Sequence, residues 1–255
     1  MSVIVIGDRS VGKTSMVVAL ADPGTDHITV VNPDSESFVA RYLDKDKGTT
    51  APTFQKKEET LLINVDLPAG ERQIQVRWID TPGEAFSNKD WRNDKPSAWQ
   101  DIQKEVSQSQ GVLLLVPPHR TLVQPHLLEE ATEPVDPDEL QTSNAWVNRL
   151  KTWLEFLSKN CTRGQHILIC IHKADLFCDI QAESKRWRYD HSRSRPWFDY
   201  NNHIRNTYFT AANEIIRQYN SRTTGSSLRF FITTTKNQSL LELPWIYLGA
   251  YIANA

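Results

Sequence analysis

Glycine is scarce in this chain, with ten residues in 255. Cysteine is scarcer still: Cys161, Cys170 and Cys178 are odd in number, show no metal-binding spacing, and include one (Cys170) inside an apolar run. This argues against a disulfide framework or a thiolate metal site, and for reduced, structural thiols. Neither sign of charge dominates. A net charge of −2 gives no reason to expect nucleic acid or an acidic membrane surface as a partner. Long apolar runs are also missing, since the longest tract, LPWIYLGAYIA, falls short of the ~20 residues needed to span a bilayer. An apolar strand opens at Ser2, which leaves no room for a signal peptide, and Ser2 is not the glycine that myristoylation needs. The final ANA offers no cysteine for prenylation. The expectation is a cytoplasmic protein that binds no nucleic acid and carries no stable membrane anchor.

What is present is ordinary for a globular domain, 39% hydrophobic and 24% charged. Six short β-branched or apolar runs read as strands: Ser2–Ile6, Leu61–Leu67, Ile74–Ile79, Gly111–Val116, His166–Ile171 and Leu228–Thr233. The second and third flank PAGER, with the proline and glycine of a hairpin turn. The last three are near-continuous apolar runs, as suits parallel strands buried on both faces. Helical periodicity lies between them, over Lys13–Ala21, Ala98–Ser109 (with Ser97 as N-cap), Ala145–Lys159 and Tyr208–Tyr219. This alternation predicts an α/β fold: a mainly parallel, six-stranded sheet flanked by helices, in one domain over 1–255. Insertions are expected near 22–50, 117–142 and 184–205. The first is polar and irregular, the second acidic and proline-rich, and the third basic. The terminal LLELPWIYLGAYIA reads as a last helix packed on the sheet, or as an exposed partner surface.

Two of the scarce glycines fall in one loop. The strand VIVI runs into GDRSVGKTS and then an apolar helix, so Gly7, Gly12, Lys13 and Thr14 satisfy G-x-x-x-x-G-K-[ST] in strand–loop–helix context. Glycines let backbone N–H groups curl around phosphate oxygens, and a helix N-terminus adds positive dipole. Gly7, Arg9, Ser10, Val11, Gly12, Lys13, Thr14 and Ser15 are thus the expected phosphate cradle. Lys13 would reach the β- and γ-phosphates, and the Thr14 hydroxyl would ligate Mg²⁺. The plainer alternative is a glycine turn before a helix.

Two later stretches narrow the class. In VRWIDTPGEAF, Asp80 closes a strand and Thr81-Pro82-Gly83 turns the chain. A strand-end acid can hold Mg²⁺ through water, and the Gly83 N–H can meet a γ-phosphate; TPG is also good chemistry for an ordinary turn. In HKAD, at the end of HILICI, Asp175 can accept two hydrogen bonds from guanine N1–H and its exocyclic amine, which adenine does not offer. The Lys173 stem can lie on the base. His172 can instead be a strand-end histidine bonded to backbone, with Lys173 and Asp175 solvated.

Taken in order, these motifs resemble those of a P-loop NTPase, namely a small P-loop GTPase of the Ras-like, translation-factor-related class. GDRSVGKTS resembles the Rab-type phosphate loop, and DTPG the family's D-x-x-G. HKAD resembles N-K-x-D with His172 in place of asparagine, as in Rag-type GTPases. TTTK (Thr233–Lys236) resembles the S-A-K base loop, in which Thr235 would present its N–H to guanine O6 beside Lys236. The resemblance implies GTP/GDP and Mg²⁺ as ligands, with Thr14, Asp80 and a switch threonine around the metal. Of Thr49, Thr50 and Thr53, Thr53 in Pro-Thr-Phe best matches that switch. Lys13, Thr53, Gly83 and Glu84 then carry the chemistry.

Glu84 departs from the glutamine or histidine that the family uses to orient the attacking water. Its charge would oppose charge developing in the transition state, so slow hydrolysis is expected. Arg9 replaces a small residue, either supplying positive charge in cis or standing solvated. Protein effectors or regulators would read the switch loops (Asp22–Phe54 and Glu84–Pro96) or the insertions. Three readings stand: a GTP-dependent molecular switch with slow hydrolase activity, a pseudo-GTPase structural subunit, and another P-loop enzyme such as a small-molecule kinase or ATPase.

Overall fold

A computed structural model describes residues 2–8, 10–21, 24, 26–32, 57–80, 89–129, 140–192, 197–222 and 228–252. Its centre is a mixed seven-stranded sheet flanked by helices. The strands are β1 (Ser2–Gly7), β2 (Ile28–Asn32), β3 (Lys57–Val65), β4 (Arg72–Asp80), β5 (Gly111–Val116), β6 (His166–His172) and β7 (Leu228–Thr233). They lie in the order β2-β3-β4-β1-β5-β6-β7. β4, β1, β5, β6 and β7 pair in parallel, while β2–β3 and β3–β4 are antiparallel. β1 and β5 are buried almost throughout, as their unbroken apolar sequence requires when helices cover both faces.

The seventh strand corrects the expected six. β2 lies inside the stretch read as a polar insertion. It is short and one-faced, with Ile28 buried and Val31 44% exposed. Its ladder comes from the edge of β3, with an irregularity between Val30 and Asn32. The hairpin at PAGER forms as its composition predicts, with Gly70 at φ 103°.

The α-helices are α1 (Lys13–Leu20), α2 (Lys89–Asp94), α3 (Pro96–Gln108), α4 (Pro125–Glu129), α5 (Ser143–Asn160), α6 (Ile180–Trp187), α7 (Trp197–Tyr208), α8 (Asn213–Arg222) and α9 (Gln238–Ile252). α1, α6 and α9 pack as one group, and α3, α5 and α8 as another. α2 lies in the stretch expected as a loop, and α6 and α7 occupy much of the basic insertion.

Two helices depart clearly from the periodicity. α3 begins at Pro96 with Lys95 at the N-cap and no side-chain cap, so Ser97 lies inside the first turn. Proline at the first helical position supplies the fixed φ that a cap would otherwise help to select. The expected helix Tyr208–Tyr219 is broken. α7 ends at Tyr208, a 3₁₀ turn covers Thr210–Ala212, and α8 follows. The break lets Phe209 turn fully into the core against Phe230, ring centroids 4.8 Å apart. No glycine or proline marks that break, because tertiary burial makes it. α9 is buried nearly all round and touches β2, β3, β4, β6 and β7, so the terminal apolar tract is core. Among the described residues no helix is long and apolar enough to cross a membrane.

Candidate functional site

Strand order reverses at β1, whose neighbours are β4 on one side and β5 on the other. In open α/β sheets the crevice beyond the carboxyl ends of the strands at such a switch point is where ligands bind. The phosphate-loop motif leaves β1 at that place. Gly7 is sterically required, since a Cβ there would lie 2.5 Å from the Leu115 carbonyl oxygen on β5. Gly12 is required twice over. It has φ 95°, and a Cβ would lie 2.6 Å from His172 Cδ2 and 2.8 Å from Nε2. Gly12 is also the N-cap of α1 and offers no side-chain cap, so the first-turn N–H groups have no such local partner.

Lys13 is buried, and its Nζ donates to the carbonyls of Gly7 at 3.1 Å and Asp8 at 2.8 Å. The loop's own backbone thus holds the ammonium within its curve. Among the described residues, Ser10 (φ 58°) and Lys173 (φ 62°) are the only non-glycines in the left-handed region. One belongs to each of two motifs, and backbone strain of this kind collects where a fold over-determines a site.

The second motif ends β6 at the same edge. His172 is fully buried, its Nδ1 2.9 Å from Thr233 Oγ1 at the end of β7. Burial pushes the imidazole down to about 4, with the Lys173 charge acting in the same direction and Asp175 against them. Neutral at physiological pH, it serves as a spacer between the loop that follows β1 and β7. Asp175 Oδ1 accepts from Thr234 Oγ1 at 2.5 Å, and Asp175 Oδ2 pairs with Lys236 Nζ at 2.8 Å. Burial pushes the Asp175 carboxyl up, but the Lys236 ammonium and the Thr234 hydroxyl outweigh it and hold the group below the ordinary carboxylate range. The Thr234 oxygen also accepts the Lys236 N–H at 3.2 Å.

The structure thus brings Gly7, Ser10, Val11, Gly12, Lys13, Thr14, Ser15, His172, Lys173, Asp175, Thr235 and Lys236 to one edge of the sheet. Thr235 is exposed in the turn after β7. The backbone of Asp80 ends β4 beside β1. Arg9, Thr53, Gly83 and Glu84, and the side chain of Asp80, lie outside the described residues.

Sequence reasoning missed three partners here. Asp8 Oδ1 accepts from Arg149 Nε at 2.8 Å and from Trp153 Nε1 at 3.2 Å, and Arg149 Nη2 also contacts it. The Arg149 guanidinium lies 5.5 Å from the Trp153 ring centroid. The loop after β1 is therefore tied to α5 by a largely buried ion pair. With 141 positions between Asp8 and Arg149, no local signal in the sequence could show it. The third is Thr234, whose hydroxyl braces Asp175; TTTK carried that signal in the residue before Thr235. No family model matches the chain, and no curated protein matches it.

Two predictions come from this geometry. Protonating His172 is costly only in the folded state, so the unfolded chain binds the extra proton between its ordinary pKa of 6.5 and about 4. The stability due to neutral burial is complete above pH 6.5 and falls as pH drops to about 4, a loss of ~3 kcal/mol. His172→Asn should flatten that part of the urea-unfolding profile against pH; a slope unchanged from the wild type would refute the assignment. Arg149→Leu should strand the Asp8 carboxylate and cost ~3 kcal/mol. Asp8→Asn in the same chain should recover part of this loss, and an additive double-mutant cycle would show that the pair is not coupled.

Proposed function

We propose that this protein binds guanine nucleotide in a P-loop NTPase fold and acts as a molecular switch that hydrolyses GTP slowly. The observation that carries the reading is the braced carboxylate at the end of β6. Asp175 is kept ionised by Lys236 and Thr234 in a motif whose preceding histidine packs under the phosphate loop. An ionised, acceptor-only group at that place suits a base edge with two adjacent donors, which guanine has and adenine lacks. A carboxylate left facing adenine would lose those bonds and stay desolvated, so discrimination should be strong.

The phosphate loop supports the same reading. Lys13 and the uncapped start of α1 form a cationic cradle at the sheet's switch point. The mixed α/β sheet and the loop that follows β1 are compatible with a P-loop fold, though the sheet has one strand more than the six expected. By residue type, Thr14 in the first turn of α1 and Asp80, the last residue of β4, would supply the oxygen donors that Mg²⁺ prefers. With Thr53 they would hold the ion, which when bound neutralises phosphate charge. Gly83 and Glu84 would face the γ-phosphate, and the negative charge of Glu84 is the reason for slow turnover. Partners would read the segments around residues 22–54 and 84–96.

Titration of the purified chain with GDP and ADP tests the base assignment. GDP should bind at least ~100-fold more tightly, and Asp175→Asn should abolish the preference while gaining xanthosine diphosphate, whose 2-oxo group accepts from the new amide. Equal affinities for GDP and ADP would overturn the guanine reading. In a single-turnover assay Glu84→Gln should speed hydrolysis; an unaltered rate would remove Glu84 as the cause of slowness.

A further inference from the structure

Away from the phosphate loop, three segments meet at the opposite end of the sheet. β4 runs parallel to β1, so the hairpin leading into β4 lies at the end away from Gly7. Asp66 follows β3 in that hairpin, and His27 immediately precedes β2. His191 comes from the segment after α6. We propose that His27, Asp66 and His191 form a binding site for a zinc-class divalent metal ion.

The geometry is that of a loosely preformed site. One ligand atom from each residue lies within 4.8 Å of the others. Donors around one tetrahedral ion at ~2.1 Å each lie ~3.4 Å apart, so the widest separation closes by up to about 1.4 Å when the ion binds. His191 Nε2 is 3.7 Å from Asp66 Oδ2 and 3.2 Å from the Asp66 carbonyl oxygen. The two imidazole rings lie 4.8 Å apart, tilted by 36°. The Nδ1 atom of His27 is buried without a hydrogen-bond partner among the described residues. Such an orphaned acceptor or donor costs free energy unless something occupies it.

The surroundings fix the ligands as supporting contacts do in metal sites. The Asp66 N–H donates to the His27 carbonyl at 2.9 Å, tying two of the ligand backbones together. Buried Glu242 on α9 accepts from the N–H groups of Asp26 at 2.7 Å and His27 at 3.3 Å. Tyr189 packs edge-on against both imidazoles, at 5.1 Å and 5.3 Å. Asp190 accepts from Ser192 N–H at 2.8 Å, which turns the chain at His191. Two imidazoles and one carboxylate suit zinc, cobalt or nickel and disfavour magnesium or calcium. Three protein ligands leave the fourth tetrahedral position to water. The site would staple the segment after α6 to the β2–β3 edge, and it does not depend on the nucleotide reading.

Calorimetric titration of the tag-free, chelator-treated full chain with zinc, without nucleotide, should show one saturable site. Asp66→Asn and His191→Ala should each weaken zinc by ~10-fold or more, with far-UV circular dichroism unchanged. Absence of a saturable site, or a smaller loss in either variant, would overturn the proposal. Cobalt(II) absorption of the unaltered chain gives an independent reading. A nitrogen–oxygen spectrum is expected, whereas sulfur-to-metal charge transfer would place the metal on a cysteine and overturn the site as well.

Discussion

The contact on which the carboxyl edge of this sheet depends is that of a buried imidazole against a glycine. The His172 ring fills the space that a side chain at position 12 would need, and the backbone there takes a left-handed turn that starts α1. The same ring holds the Thr233 hydroxyl at the end of β7. A single side chain thus sets the loop between β1 and α1 relative to two parallel strands. It can do so only while neutral, because a charged imidazole would sit desolvated beside the Lys173 ammonium.

Around that contact the fold keeps charges buried and matched. Lys13 rests on two backbone carbonyls, Asp175 on a lysine and a threonine, and Asp8 on an arginine and an indole. Each ion is held by groups from a different element, so breaking one leaves its partner desolvated and costs more than the pair contributes.

Much of this was legible in the sequence because the relevant signals are local. β1, β5, β6 and β7 are continuous apolar runs, and burial on both faces leaves them no other pattern. Gly7, Gly12 and Lys13 were readable because strand, turn and helix follow one another within a few residues. β2 was not, since a single buried face in the five-residue strand ITVVN gives a weak period. The break at Phe209 escaped because the helical pattern continues through it, and only the position of Phe230 makes turning inward favourable. The Asp8–Arg149 pair and the grouping of His27, Asp66 and His191 join segments far apart in the chain. Composition and spacing carry no trace of either.

Trp153 gives the Asp8–Arg149 link a longer reach. Its indole meets the Phe156 ring at 6.3 Å, Phe156 meets Trp99 at 5.2 Å, and Arg92 lies over Trp99 at 4.8 Å. Three aromatic rings thus form a stiff strut from Asp8 in the loop after β1, across α5, to the first turn of α3. Packed rings transmit displacement because they cannot be compressed. The end of α2, which carries Arg92, is therefore geared to the loop between β1 and α1 from behind, through this row of rings.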